Sequence, residues 1–122
     1  MDDRRRVLIV EDEAGLRGCL ATYLEARGVE VAQAGSLAEA EWLLDRLTFD
    51  AVVLDVGLPD GDGLTLLERS PAERSLIISA NPDPARFARC GVVHHLAKPL
   101  DLPEFLRHVH GLTSHPAPIE AE

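Results

Sequence analysis

Four short apolar runs, each ending on a polar residue of a particular kind, constrain this chain more than any other feature. Val7-Leu8-Ile9-Val10 ends at Glu11-Asp12, and Ala51-Val52-Val53-Leu54 ends at Asp55. Leu76-Ile77-Ile78 ends at Ser79-Ala80, and Val92 to Leu96 leads through Ala97 to Lys98-Pro99. A run that is apolar at nearly every position suits a strand covered on both faces, as in a parallel sheet. Between the runs, apolar residues recur at helical spacing: Leu16, Leu20, Tyr23 and Leu24, then Leu37, Ala40, Leu43, Leu44 and Leu47, and finally Leu102, Phe105, Leu106, Val109 and Leu112. Strand and helix periods in alternation predict an α/β layer fold.

The pattern places strands over 7–10, 29–34, 51–54, 75–79 and 92–96. It places helices over 14–27, from Ser36, over about 64–69, from Asp83-Pro84 to about Cys90, and from Asp101 to 112. Five strands and five helices thus alternate strictly. Gly28 and Gly91 are stop signals, and Ser36 with Glu39 reads as a capping box. Asp83 before Pro84 reads as an N-cap followed by proline at the first helical position, and Asp101 caps the last helix. Leu58 to Gly63 is a loop, which Gly61 and Gly63 let turn sharply and Pro59 stiffens. Residues 1–112 form one domain; 113–122, with Pro116 and Pro118, read as a flexible tail or the start of a linker.

The chain has 122 residues, 46% of them apolar, which suffices for one real core. Its net charge of −9 argues against a nucleic-acid surface, which needs clustered Lys and Arg. Arg4-Arg5-Arg6 reads as a solvated lead-in to the first strand. No stretch approaches the about 18 consecutive apolar residues of a membrane span, and no secretory signal is present. The two cysteines, Cys19 and Cys90, lie in helical patterns and read as small buried reduced thiols of a cytoplasmic protein. Trp42 reads as a packed or half-exposed helix residue.

In an open parallel sheet the C-terminal strand ends lie side by side, and ligands bind there. Two carboxylates about 4 Å apart repel by about 4 kcal/mol at an effective dielectric near 20. Glu11, Asp12 and Asp55 together therefore require cations. Lys98 supplies one charge and Mg²⁺, which takes hard oxygen ligands, would supply two more. Zinc is poorly supported, because no Cys stands at a strand end and His94 and His95 lie within a strand. Asp55 is then placed to act as a nucleophile toward a phosphoryl group, with Ser79 donating its hydroxyl and Lys98 its charge. Plainer roles stand beside these: a turn-capping Asp55, a helix-capping Glu11-Asp12, a surface Lys98, an ordinary strand-end Ser79.

The stretches V-L-I-V-E-D-E, V-V-L-D-V-G-L-P-D-G-D-G-L, L-I-I-S-A and H-L-A-K-P-L, in this order, resemble the response-regulator receiver domain of two-component signal transduction, of the single-domain type. The resemblance runs from residue 7 to about 112. It implies a flavodoxin-like, doubly wound five-stranded parallel sheet in the order 2-1-3-4-5. It implies that Asp55 accepts a phosphoryl group from a sensor histidine kinase or a histidine phosphotransfer protein, and that the domain catalyses its own phosphorylation and dephosphorylation. Asp12 would hold Mg²⁺ directly and Glu11 through water, with Asp55 and the Gly57 carbonyl completing the protein ligands. Ser79 and Lys98 take the family's hydroxyl and lysine positions, and the bond before Pro99 would be cis. The signal would pass by conformational change to a downstream protein in the cytoplasm, with no nucleic acid or membrane bound by this domain.

Two departures accompany the match. His95 stands where the family carries its switch aromatic, and only 18 residues separate Ser79 from Lys98. The third and fourth helical segments are therefore expected to be short. A switch histidine titrates near neutral pH, so His95 is a candidate pH-sensitive element. The shortened region keeps open a second reading, a phosphorylation-independent interaction module. A phosphate-ester hydrolase is a third, less favoured because Gly57 stands where a second catalytic acid would be needed.

Overall fold

In a computed structural model, which describes residues 4–114, the apolar runs form one parallel sheet. Its strands are β1 (Arg6–Val10), β2 (Glu30–Ala34), β3 (Ala51–Asp55), β6 (Ser75–Ser79) and β7 (His94–Ala97). Two further strands, β4 (Gly57–Leu58) and β5 (Gly61–Asp62), pair separately as an antiparallel hairpin. The sheet order is β2-β1-β3-β6-β7, which is 2-1-3-4-5 counted over sheet strands alone. Every neighbouring pair is parallel.

Side chains alternate across the central strands and build two cores. Val7, Ile9, Val53, Leu76 and Ile78 pack with Leu20, Ala21 and Leu24 of α1 (Ala14–Glu25) and with Phe105, Val109 and Leu112 of α4 (Leu102–Thr113). Leu8, Val10, Val52, Leu54 and Ile77 meet the other face. There they pack against Ala40 of α2 (Leu37–Arg46), Leu64 and Leu66 of a 3₁₀ helix (Gly63–Glu68), and Phe87 of α3 (Pro84–Arg89). Covering on both faces is why β3 and β6 are buried at every position.

Several expectations need correction. The short helix expected over about 64–69 is present as a 3₁₀ helix, Gly63–Glu68, but a second 3₁₀ turn, Ala72–Arg74, was not expected. With the β4–β5 hairpin inside the supposed loop, strict alternation of five strands and five helices does not hold. The last sheet strand begins at His94 rather than 92, because the Val92 N–H is committed to the Phe87 carbonyl (2.9 Å) in the exit from α3. Asp101 sits at the N-cap of α4 without a side-chain capping bond. Pro103 at the second helical position removes one N–H that such a cap would serve. Leu47 is exposed at the end of α2 rather than on its buried side.

Cys19 and Cys90 are both free and exposed, so the expectation of buried thiols fails. Cys19 lies beside the buried pair Leu20 and Ala21 but on the outer side of α1, and Cys90 follows the last residue of α3. Helical spacing locates a face only to within a residue, and a thiol at its edge is left outside. Arg4 and Arg5 are exposed as expected, whereas Arg6 starts β1 and pairs with Glu30 (3.2 Å). The proposed tail from 113 falls partly within α4, since Thr113 is buried in its last turn; 115–122 lie outside the described residues.

The caps on α2 go beyond the sequence pattern. Ser36 Oγ accepts the Glu39 N–H (3.2 Å), while Glu39 Oε1 accepts the Gly35 N–H (2.6 Å), one residue earlier than in a standard capping box. Asp60, from the hairpin turn, accepts the Leu37 and Ala38 N–H groups at 2.8 and 3.0 Å. These bonds, Leu37 first, hold the Asp60 carboxyl below its ordinary pKa. A depressed pKa stabilises the fold above the ordinary carboxyl range, and that contribution is lost as pH falls through the depressed value. Asp60→Asn should therefore lower the urea midpoint at neutral pH, and its difference from the native chain should shrink in acid.

Gly63 admits no side chain. A Cβ there would stand 2.1 Å from the Asp55 carbonyl oxygen, which is backbone and cannot swing aside. Gly63→Ala should cost about 1–3 kcal/mol or more of stability in urea unfolding, as overpacking does.

Candidate functional site

Each polar strand end is set by the strand that precedes it. The Glu11 N–H donates to the Ala34 carbonyl (2.9 Å), continuing the β1–β2 ladder by one step and drawing the Glu11 side chain fully inside. Asp12, released from the ladder, is exposed. The Glu13 N–H donates to Glu11 Oε2 (3.1 Å), and Glu13 in turn caps α1 through the Leu16 N–H (3.1 Å). From α1, Arg17 Nη1 donates to the Glu11 carbonyl (2.7 Å). Glu13 and Arg17 thus support the acid pair, and neither was expected from the sequence. Glu13 three residues before Leu16 is a legible capping signal; Arg17 carries none.

Asp55 ends β3 with only 6% of its surface exposed. Its Oδ1 accepts the Gly57 N–H at 3.3 Å. Its Oδ2 lies 3.5 Å from Lys98 Nζ, which is also 2.8 Å from Glu11 Oε1. Lys98 follows β7 and is fixed by its N–H to the Ser79 carbonyl (2.9 Å); the Lys98–Pro99 bond is cis. Ser79, buried at the end of β6, accepts the Asn81 N–H on its Oγ (3.1 Å), which leaves its hydroxyl proton free to donate. Glu11, Asp12 and Asp55 each offer an oxygen such that all three lie within 4.8 Å of one another.

Burial pushes the Glu11 carboxyl above its ordinary pKa, against the pull of Lys98 and the Glu13 N–H, and the charge on Asp55 adds to the rise. Burial also works against the Lys98 ammonium, but the Glu11 hydrogen bond and the fields of Asp55 and Glu11 outweigh it and hold that pKa above the ordinary value. The two directions conflict over Glu11, because the lysine's rise needs the carboxylate that burial disfavours. The 2.8 Å contact in a pocket already holding Asp55 decides for the charged pair. Glu11 Oε1 is buried with no bond beyond that to Lys98, an ammonium it shares with Asp55 Oδ2. A buried acceptor in that state, beside two more carboxylates, fits a hard divalent cation.

The structure therefore brings Glu11, Asp12, Asp55 and Lys98 together, with Ser79 on the adjoining strand end and Gly57 just beyond Asp55. His95 is exposed on β7, its ring edge-on to Phe87 at 5.2 Å between centroids. His94 is half-buried and lines a cavity with Glu104 and His108 of α4. No helix among the described residues is long and apolar enough to cross a membrane.

A family model, the response regulator receiver domain, matches residues 7–110. The alginate biosynthesis transcriptional regulatory protein AlgB of Pseudomonas putida is 36% identical over 113 residues, covering 87% of this chain but 25% of that protein. The chain thus spans about a quarter of that curated relative's length. Among solved structures, the non-phosphorylated HemR receiver domain from Leptospira biflexa is 34% identical, with a TM-score of 0.83, covering 94% of this chain and 98% of that one. A response regulator protein from Burkholderia pseudomallei, solved with a phosphorylated aspartic acid, calcium ion and citrate, is 28% identical, with a TM-score of 0.77, covering 86% and 66%. The parallel sheet, the acid cluster at its strand ends and a family match over most of the length lead to one assignment: the chain belongs to the response regulator receiver domains of two-component systems.

Proposed function

We propose that this domain accepts a phosphoryl group on Asp55 from the phosphohistidine of a histidine kinase or phosphotransfer protein, in a Mg²⁺-dependent step, and signals by contact with another protein. The observation that carries this reading is the meeting of Asp55 with the Glu11 and Asp12 carboxylates and with the Lys98 ammonium. The relative from Burkholderia pseudomallei supports it, since its structure holds a phosphorylated aspartic acid and a calcium ion.

In this reading a carboxylate oxygen of Asp55 forms a bond to phosphorus while the donor's N–P bond breaks, and the leaving imidazole takes a proton. Lys98, already 3.5 Å from Asp55, neutralises negative charge on the phosphoryl oxygens. The Ser79 hydroxyl donates to one of those oxygens, and the Asn81 N–H keeps its Oγ in place. Glu11 holds the lysine, and Arg17 and the Glu13 N–H hold Glu11. Asp12, Asp55, the Gly57 carbonyl and, through water, Glu11 would hold Mg²⁺. When bound, the ion would supply two positive charges against the oxygens of the transferring group. Residues 1–112 act as the receiver, and the signal is passed on in the cytoplasm without nucleic acid bound by this domain.

Incubation with acetyl phosphate and Mg²⁺, followed by intact mass measurement, should show the gain of one phosphate. Asp55→Asn should abolish the gain and chelation of Mg²⁺ should prevent it. An unmodified native chain under these conditions would reject the reading. Lys98→Ala should slow phosphorylation by roughly 100-fold or more, the usual cost of removing one group that stabilises transition-state charge.

A further inference from the structure

The β4–β5 hairpin connects the acceptor carboxylate to a helix elsewhere in the chain. At its base, the Gly57 N–H donates to Asp55 Oδ1 (3.3 Å) and the Gly63 N–H to the Val56 carbonyl (2.8 Å). The close approach of Gly63 to the Asp55 carbonyl leaves no slack there. At its tip, Asp60 accepts two N–H groups from the first turn of α2. Gly61, at φ +152°, lies so close that a Cβ would come within 2.7 Å of Leu37 Cδ1. An ion pair from Asp62 to Arg86 ties the same hairpin to α3.

Helix α2 does not depend on that contact alone. Ser36 and Glu39 cap it locally, so the Asp60 cap can loosen while the helix stays formed. A contact that can loosen without unfolding the helix is one that a distant site can bias. On the same helix stands Trp42, the only tryptophan of the chain, 56% exposed. The Arg46 guanidinium carbon lies 3.8 Å above its ring. Trp42 shares a cleft of about 410 Å³ with Gln33 of β2 and with Ala38, Glu39 and Leu43. Gln33 belongs to the sheet and Trp42 to the helix, so any shift of α2 on the sheet changes the surroundings of the indole.

We propose that Asp60 is a positioning residue that couples Asp55 to α2, so that a phosphoryl group on Asp55 alters the seating of the Trp42-bearing helix. The inference rests on Asp55 being the phosphoacceptor. Once an Asp55 oxygen is bonded to phosphorus, the phosphoryl oxygens compete with Oδ1 for the Gly57 N–H. The hairpin base then shifts, and its tip carries the Asp60 cap with it. Coupling is reciprocal in binding free energy. Freeing the tip therefore loosens Gly57 and weakens the hold on Mg²⁺.

The test follows Trp42 emission and intact mass together, on the full chain, during incubation with acetyl phosphate and Mg²⁺. In the native chain the emission should change in step with phosphate gained. Asp60→Ala, which leaves no acceptor, should still gain phosphate but lose most of that change. It should also need about 5-fold or more Mg²⁺ for half-maximal phosphorylation, the lower range of typical coupling. Ser36→Ala, which removes only the local cap, should keep the emission change, a result that loss of helix stability alone would not give. Asp60→Asn, which retains one acceptor oxygen, should fall between native and Asp60→Ala and serves if Asp60→Ala does not fold. Phosphate gained with no emission change in the native chain, or an undiminished change in both Asp60 variants, overturns the coupling alone. No phosphate gained overturns the phosphoacceptor reading and the coupling with it.

Discussion

The rest of the site depends on one constraint: carboxylates brought to neighbouring strand ends repel unless positive charge joins them. Lys98 meets that constraint inside the chain, touching Glu11 and standing near Asp55. Because Glu11 is fully buried, its negative charge is tolerable only with a partner. The lysine is thus as much part of the fold as of the chemistry. One ammonium against three carboxylates still leaves the cluster negative, and that excess is where further positive charge belongs.

The sheet was legible because its strands are buried on both faces and say so at every residue. Val52, Val53 and Leu54 leave no other reading, and a parallel sheet brings their ends together. Edges of elements were less legible. Val92 has the side chain of a strand residue, yet its backbone is used in closing α3. Gly57 and Gly61 carry no β signal, yet Gly57 pairs with Asp62 and Gly61 with Leu58 because the chain must reverse tightly after Asp55. Apolar pattern reports what is buried; it does not report where backbone hydrogen bonds go.

The same distinction explains the site. Residues whose position follows from a strand end, Glu11, Asp12, Asp55, Ser79 and Lys98, could be named from sequence. Those that act through a long side chain or a bond across many residues could not. Arg17 reaches back from α1 to the Glu11 carbonyl, and Asp60 reaches 23 residues back to Leu37. Neither reach leaves a periodic trace. Cys19 shows the complementary error, where a residue of buried type sits just past the margin of a helix face.

Beside α2 on one flank of the sheet, the 3₁₀ helix and the six-residue α3 have a different cohesion from the twelve-residue α1 and α4 on the other. Helices that short hold few internal hydrogen bonds, and their stability comes from the side chains they press on the sheet. Their amides should exchange with deuterium through local openings well before those of β1 and β3, making these two segments the least protected unit of the domain. The residues that follow Asp55 and Ser79 in the chain lie in that unit, so the proposed acceptor site sits on the seam between a rigid part and a labile one.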